Sequence, residues 1–162
     1  MSADTIKALG LSGHRFKPIT PLVPFTVGTW KIMGFPVKHD VPNMGFLLAS
    51  RNGEKIAYIT DTPYCPYRFK GLTTIMLEVN YDLEILRQNV KNGTVDRGLK
   101  NRIVRNHFSL EAAKGFLKAN DLKQVREIHL IHLSSANSSA EKFKREVQGI
   151  TGKPVYISEG KE

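Results

Sequence analysis

Short stretches of alternating apolar and polar residues fill the first half of the chain, and turn residues interrupt them. After a short helix over residues 3–9 and a proline-rich connector, HRFKPITPLVP, the pattern predicts strands at FTVGTWKIM and GFPVK, separated at Gly34. GFLLAS and KIAYITD are two further strands, which the Asn-Gly turn of RNGE joins as a hairpin. The almost continuous apolar run LTTIMLEVN indicates a buried strand.

Beyond residue 80 the apolar spacing becomes that of amphipathic helices. Helices are predicted at DLEILRQN, LKNRIVRN, SLEAAKGFLKAN and SAEKFKREVQGI, and strands at EIHLIHL and KPVYIS. Ser109 stands where an N-cap is expected. Helices that alternate with strands after a run of hairpins predict an α/β fold with a mixed sheet. No repeat or linker divides the chain, so we expect a single domain over residues 1–162.

Composition adds a strongly basic character to this picture. The chain has 24 Lys and Arg against 15 Asp and Glu, a formal net charge of +9. Such a surface attracts polyanions, although it also simply keeps a protein in solution. One stretch of six basic residues contains a single acid, and it fits either a phosphate-binding surface or a solvated helix face. These residues are Arg87, Lys91, Arg97, Lys100, Arg102 and Arg105.

The cysteine count and the lengths of the apolar runs bear on the cellular compartment and on membrane contact. Cys65 is the single cysteine, which excludes an intramolecular disulfide and fits a reducing, cytoplasmic location. No apolar run is long enough to span a membrane, so we expect no membrane contact.

Polar residues with metal-binding chemistry collect at the ends of the predicted strands. These residues are His39, Asp61, Glu78, Asn80 and His132, and His107 precedes the helix that begins after Ser109. Ligands of α/β folds gather outside the carboxyl ends of strands, and a His and Asp set suits zinc, manganese or iron. Taken singly, His39 fits a surface histidine and Asp61 a turn carboxylate. His129 and His132 face opposite sides of their strand, so His129 is predicted to be structural.

The order of five motifs resembles the metallo-β-lactamase superfamily, and within it the YycJ-like hydrolases of exonuclease or phosphodiesterase type. The motifs are PVKHD, YITDT, LEVNYD, NHFSLEAA and IHLSSANSS, and the resemblance runs from about residue 25 to the C-terminus. It implies an αββα sandwich and a two-metal site for Zn²⁺ or Mn²⁺. It also implies that His39 binds one metal, that Asp61 bridges both, and that His132 binds the second. His107 would lie near the substrate phosphate and, with Asp61, take part in catalysis.

The chain departs from this family pattern in one large respect. The signature His-x-His-x-Asp-His is absent, and no His-x-His occurs in the chain. The expectation is therefore the C-terminal portion of the fold, without its first strands and four of its metal ligands, and with doubtful metal occupancy. Pro63 and Asn106 also replace glycines of the family motifs.

Two hypotheses about function follow from this departure. In the first, the chain is a metal-dependent phosphodiesterase or nuclease that is weak or inactive alone and depends on a second chain carrying the first metal motif. In the second, it is a non-catalytic nucleic-acid-binding module or an oligomeric scaffold. The expected partners are nucleic acid or nucleotide, that second chain, and further copies of the chain itself in a homo-oligomer.

Overall fold

The computed structural model describes residues 2–158, in which seven strands form one sheet and five helices accompany it. The strands are β1 Phe25–Val27, β2 Trp30–Val37, β3 Asn43–Ser50, β4 Lys55–Ile59, β5 Thr74–Glu78, β6 Glu127–Ile131 and β7 Val155–Ile157. The helices are α1 Ala3–Ala8, α2 Leu83–Lys91, α3 Arg97–Asn106, α4 Leu110–Lys118 and α5 Ala140–Thr151. In this part of the chain no helix is long and apolar enough to cross a membrane.

The strands lie side by side in the order in which they occur in the chain. Strands β1 to β4 pair in antiparallel fashion, and β4 to β7 pair in parallel. The predicted mixed sheet is therefore confirmed. Because β2 and β4 are both antiparallel to β3, β2 runs in the same direction as β4, β5 and β6. The carboxyl ends of these four strands lie at one end of the sheet, which we call the carboxyl edge.

Side-chain caps explain where the helices of the second half begin. The Asp82 carboxylate accepts hydrogen bonds from the backbone N–H groups at the start of α2, and Asp96 does the same for α3. The hydroxyl of Ser109 caps α4 as predicted, and that of Ser139 caps α5. Each cap satisfies an N–H group that the first helical turn leaves without a partner. At the other end of α5, Gly152 adopts a positive φ of 63° and ends the helix.

The strand break predicted at Gly34 is wrong, because β2 continues through this residue. Gly34 pairs with Phe46 of β3, and a side chain at Gly34 would meet the Sδ atom of Met44 at 3.1 Å. The glycine therefore serves close packing within the sheet. The turn lies earlier, at Gly28, whose positive φ of 57° lets the chain reverse between β1 and β2.

The two faces of the sheet have different surroundings. On one face, α4 and α5 cover a core that includes Phe35, Ile75, Leu77, Phe116 and Phe143, all of which are buried. On the other face, apolar side chains remain half-buried around a shallow depression of about 360 Å³, which we call the open face. Its residues are Phe25, Ile32, Phe46, Leu48, Ile56, Tyr58 and Met76. The described chain thus forms a helix layer and a sheet layer, with one apolar sheet surface uncovered.

Candidate metal centre

Four side chains with metal-binding chemistry meet at the carboxyl edge. Asp61 follows β4, Glu78 is the last residue of β5, His132 follows β6, and His107 follows α3. One potential ligand atom from each of the four lies within 4.8 Å of the others. The parallel direction of β4, β5 and β6 brings three of them together, because the strands are adjacent and end at the same level. We call these four residues the edge cluster.

Glu78 lies at the centre of the edge cluster and is fully buried. Its Oε1 atom is 2.6 Å from Nδ1 of His107 and 3.1 Å from Nδ1 of His132. The backbone N–H of Thr62 donates to Oε2 at 3.2 Å. Burial alone raises the pKa of Glu78, but hydrogen bonds from the two histidines outweigh it and hold this pKa below its ordinary value. Glu78 is therefore an ionised carboxylate that orients both imidazole rings.

Asp61 and His132 occupy the more accessible side of the edge cluster. Oδ1 of Asp61 lies 3.3 Å from Nδ1 of His132 and 3.8 Å from Nδ1 of His107. The hydroxyl of Thr60 donates to the other Asp61 oxygen at 3.1 Å. The hydrogen bond with Glu78 raises the pKa of His132 above its ordinary value, against the opposing effect of burial. The side chains of Asp61 and His132 are both partly exposed to solvent.

His39 follows β2 and lies beside the edge cluster without joining the group of four. Its ring centroid is 5.9 Å from that of His107, whose own centroid is 5.2 Å from that of His132. Nδ1 of His39 is buried and lies 2.5 Å from Oδ1 of Asp40. Nδ1 nevertheless has no hydrogen-bond partner with acceptable geometry among residues 2–158.

The donor set fits a transition-metal ion. Two carboxylates and two imidazoles supply the oxygen and nitrogen ligands that zinc, manganese and iron accept in proteins. The contact between Glu78 and His107 also has the form of a carboxylate that fixes the tautomer of a metal-site histidine. The edge cluster is thus a candidate metal centre for an ion such as Zn²⁺ or Mn²⁺.

The structure brings three of the site residues predicted from the sequence together at the carboxyl edge, and it places Glu78 among them. Asp61, His107 and His132 belong to the edge cluster, and His39 is its neighbour. Glu78 is one of the strand-end residues with metal-binding chemistry, but the sequence assigns it no role in the site. Its position gave a usable signal, because a carboxylate that ends a continuous apolar strand is buried and requires a partner.

His129 lies away from the edge cluster, on the open-face side of β6. Its ring stacks on that of Tyr156, with centroids 5.3 Å apart, and its Nε2 atom is 3.4 Å from an oxygen of Glu127. His129 and His132 therefore lie apart, as the sequence pattern indicated.

The six basic residues between positions 87 and 105 lie on α2 and α3. Five are exposed, Lys100 is half-buried, and none forms an ion pair with another residue among positions 2–158. Helix α3 ends directly at His107, whose backbone N–H donates to the carbonyl of Ile103. The basic helix thus leads into the edge cluster.

Comparison with known proteins identifies a relative by sequence and several by fold. No family model matches the chain. The exodeoxyribonuclease YycJ of Bacillus anthracis is 30% identical over 131 residues, which are 77% of this chain and 48% of that protein. The chain therefore spans about half the length of the curated relative that it matches.

Two solved structures show the fold that the chain shares. The metallo-β-lactamase fold protein YhfI of Bacillus subtilis has a TM-score of 0.67 at 15% identity, covering 97% of this chain and 59% of that one. A Thermotoga maritima protein, described as a candidate zinc-dependent hydrolase of the metallo-β-lactamase superfamily, has a TM-score of 0.54 at 14% identity. This second match covers 88% of this chain and 71% of that one.

Fold and sequence point to similar proteins. The mixed sheet with helices on one face is part of a metallo-β-lactamase fold. In sequence, the chain is similar to an exodeoxyribonuclease of the YycJ type.

The coupling between Glu78 and His132 predicts a pH-dependent stability in the metal-free protein. The raised pKa of His132 contributes stability that is complete below its ordinary value of 6.5 and is lost as the pH rises through the raised value. The lowered pKa of Glu78 contributes stability above its ordinary value of 4.5 and is lost as the pH falls through the lowered value. We expect the melting temperature in EDTA to fall as the pH rises above 6.5 and through the raised pKa of His132.

A comparison of two histidine variants isolates this effect. His132→Gln should flatten the decline, whereas His14→Gln, which changes an exposed residue of the N-terminal connector, should retain it. An unchanged decline in His132→Gln would contradict the assignment.

Proposed function

We propose that the chain is a metal-dependent hydrolase of phosphodiester bonds, of nuclease type, that is weak or inactive alone and gains activity from a second chain carrying the first metal motif. The convergence of two carboxylates and two imidazoles at the carboxyl edge is the observation that carries this proposal. The name of its relative, an exodeoxyribonuclease, supports a nucleic acid as substrate.

Each residue of the site has a role that its position supports. His39, Asp61 and His132 are the proposed protein ligands, with Asp61 as the ligand that two ions would share. A bound Zn²⁺ or Mn²⁺ would supply a water of lowered pKa and neutralise charge on the phosphate. Glu78 holds Nδ1 of His107, and this contact leaves Nε2 of His107 to exchange a proton with the substrate or its leaving oxygen.

The contacts of Glu78 and the small number of remaining ligands support weak activity in the isolated chain. Glu78 already binds both His107 and His132, so its oxygens are not free to hold an ion without giving up these contacts. His39, Asp61 and His132 alone give neither of two ions the three protein ligands usual at catalytic zinc. The position of an ion would therefore be poorly fixed, and its water poorly activated.

The activity prediction is tested on the purified chain with Zn²⁺ or Mn²⁺. We expect little or no turnover of single- or double-stranded DNA, RNA or a generic phosphodiester, and bound metal well below one ion per chain by elemental analysis. The wild type is compared with a double variant that carries both His39→Ala and Asp61→Ala. The matched control is a double variant that carries His14→Ala and Asp121→Ala, both at exposed positions. Robust metal-dependent turnover that only the first double variant abolishes would contradict the prediction.

The basic surface of α2 and α3 is the proposed contact for the phosphate backbone. Its residues are Arg87, Lys91, Arg97, Lys100, Arg102 and Arg105. Their side chains are not neutralised by ion pairs within positions 2–158. Because α3 ends at His107, a strand bound along this helix would lead to the edge cluster.

Binding to a DNA oligonucleotide as a function of salt concentration tests this surface. Removing two phosphate contacts with Arg97→Ala, Arg105→Ala should weaken binding and reduce the slope of log K against log salt by about 1.5 to 2. Lys118→Ala, Lys123→Ala removes the same charge from exposed positions elsewhere and should leave the slope nearly unchanged. Equal effects of the two double variants would point to diffuse charge and reject the α2–α3 surface.

The alternative function is a non-catalytic binding module or oligomeric scaffold, and the open face supports its assembly. Seven half-buried apolar side chains form one continuous surface on a sheet layer that no described helix covers. Surfaces of this kind are characteristic of association sites. We propose that a second copy of the chain covers the open face. The alternative partner for this surface is a second chain that carries the first part of the fold.

Sedimentation at micromolar concentration tests the assembly. We expect a dimer or higher oligomer, and Leu48→Lys, at the centre of the open face, should convert it to a monomer. Val104→Lys introduces the same charge at an exposed apolar position of α3 and should leave the oligomer intact. If the wild-type protein sediments as a monomer, the homo-oligomer is rejected, and the second chain remains as the proposed partner for the open face.

A further inference from the structure

Two residues of the edge cluster have an unusual backbone conformation. Asp61 has φ 54° and His132 has φ 56°. Both values lie in the left-handed region of backbone conformation, which residues other than glycine rarely adopt. Within positions 2–158, Leu22 of the N-terminal connector is the only other non-glycine residue with positive φ. Glycine would relieve this strain, but it would remove the carboxylate or the imidazole. These positions therefore need another source of stabilisation.

Asn43 supplies it for Asp61. This residue begins β3, and its amide Nδ2 donates to the carbonyl of Asp61 at 2.9 Å and to that of Thr60 at 3.1 Å. Its Oδ1 atom accepts from the backbone N–H of Met44 at 2.8 Å, and this contact fixes the orientation of the amide. One side chain thus holds both peptide units at the point where the chain turns out of β4.

Asn80 does the same for His132 and also secures its neighbourhood. Its Nδ2 atom donates to the carbonyl of His132 at 2.9 Å. Its backbone N–H donates to the carbonyl of Phe108, next to His107, and its own carbonyl accepts from Ser134. Asn80 is 7% exposed and lies two residues after Glu78. It therefore ties the segments that carry both imidazoles to the end of β5.

We propose that Asn43 and Asn80 are positioning residues that hold Asp61 and His132 in the left-handed conformation that directs their side chains into the edge cluster. In an extended conformation the Cα–Cβ bonds of Asp61 and His132 would point elsewhere, and the ligand atoms would separate. The role in ion binding rests on the metal-dependent function proposed above, whereas the backbone effect is a property of the metal-free chain.

Two substitutions remove the amides and retain much of their volume: Asn43→Leu and Asn80→Leu. Asn120→Leu is the matched control, because Asn120, after α4, also donates from Nδ2 to a backbone carbonyl, that of Phe116, and accepts at Oδ1 from the backbone N–H of Phe69. Zn²⁺ affinity by calorimetry should fall by about 10-fold or more in the first two variants and remain close to wild type in the control. Melting temperatures identify any general loss of stability, and Asn43→Ser and Asn80→Ser replace variants that fail to fold.

NMR of the metal-free proteins measures the backbone directly and separates this inference from the proposed function. Backbone couplings and ¹³C shifts should report positive φ at both Asp61 and His132 in the wild type and in the control. Positive φ should be lost at Asp61 in the Asn43 variant and at His132 in the Asn80 variant. If both variants keep it, the inference is wrong. A wild type that binds no Zn²⁺ or Mn²⁺ rejects the metal centre, and the NMR result then decides the positioning role alone.

Discussion

The candidate site depends on one buried carboxylate. Glu78 has no exposure to solvent, and an ionised carboxylate without partners in such a place would be strongly destabilising. The structure satisfies it with His107, His132 and the backbone N–H of Thr62. These three groups come from separate segments of the chain, so satisfying Glu78 draws the segments together. The geometry of the edge cluster follows from this requirement.

The sheet supplies the platform on which these segments meet. The strands β4, β5 and β6 are adjacent and parallel, and each ends in or is followed by a polar residue of the edge cluster. Strand β2 runs in the same direction, so His39 reaches the same edge from the antiparallel half of the sheet. The connection from β5 to β6 contains α2, α3 and α4, and it brings the basic surface and His107 to this edge. The basic residues of α2 and α3 and His107 are therefore parts of one crossover connection.

The two faces of the sheet have different consequences. Burial of aromatic and aliphatic side chains under α4 and α5 stabilises the domain and fixes the level at which the strands end. The open face contributes less to this stability, because its side chains retain contact with water. It is the surface through which a second copy or a second chain could add a further layer.

The sequence alone determined the elements and their order. Apolar spacing predicted the main strands and helices, Ser109 indicated the start of α4, and the shift from hairpins to alternating helices and strands predicted the mixed sheet. These properties are local, since they depend on the period of the side chains and on a few capping contacts. The break at Gly34 was wrong because its cause, close packing against β3, is not local.

Only the tertiary structure decided which side chains meet. His107 lies 29 positions from Glu78 in the chain, and Asn80 lies 52 positions from His132. Contacts over such separations follow from strand order and direction, which the apolar period does not encode. The left-handed conformations of Asp61 and His132 belong to the same class, because hydrogen bonds from distant asparagines accompany them. The sequence placed polar residues at strand ends, and the packing of the sheet made some of them neighbours.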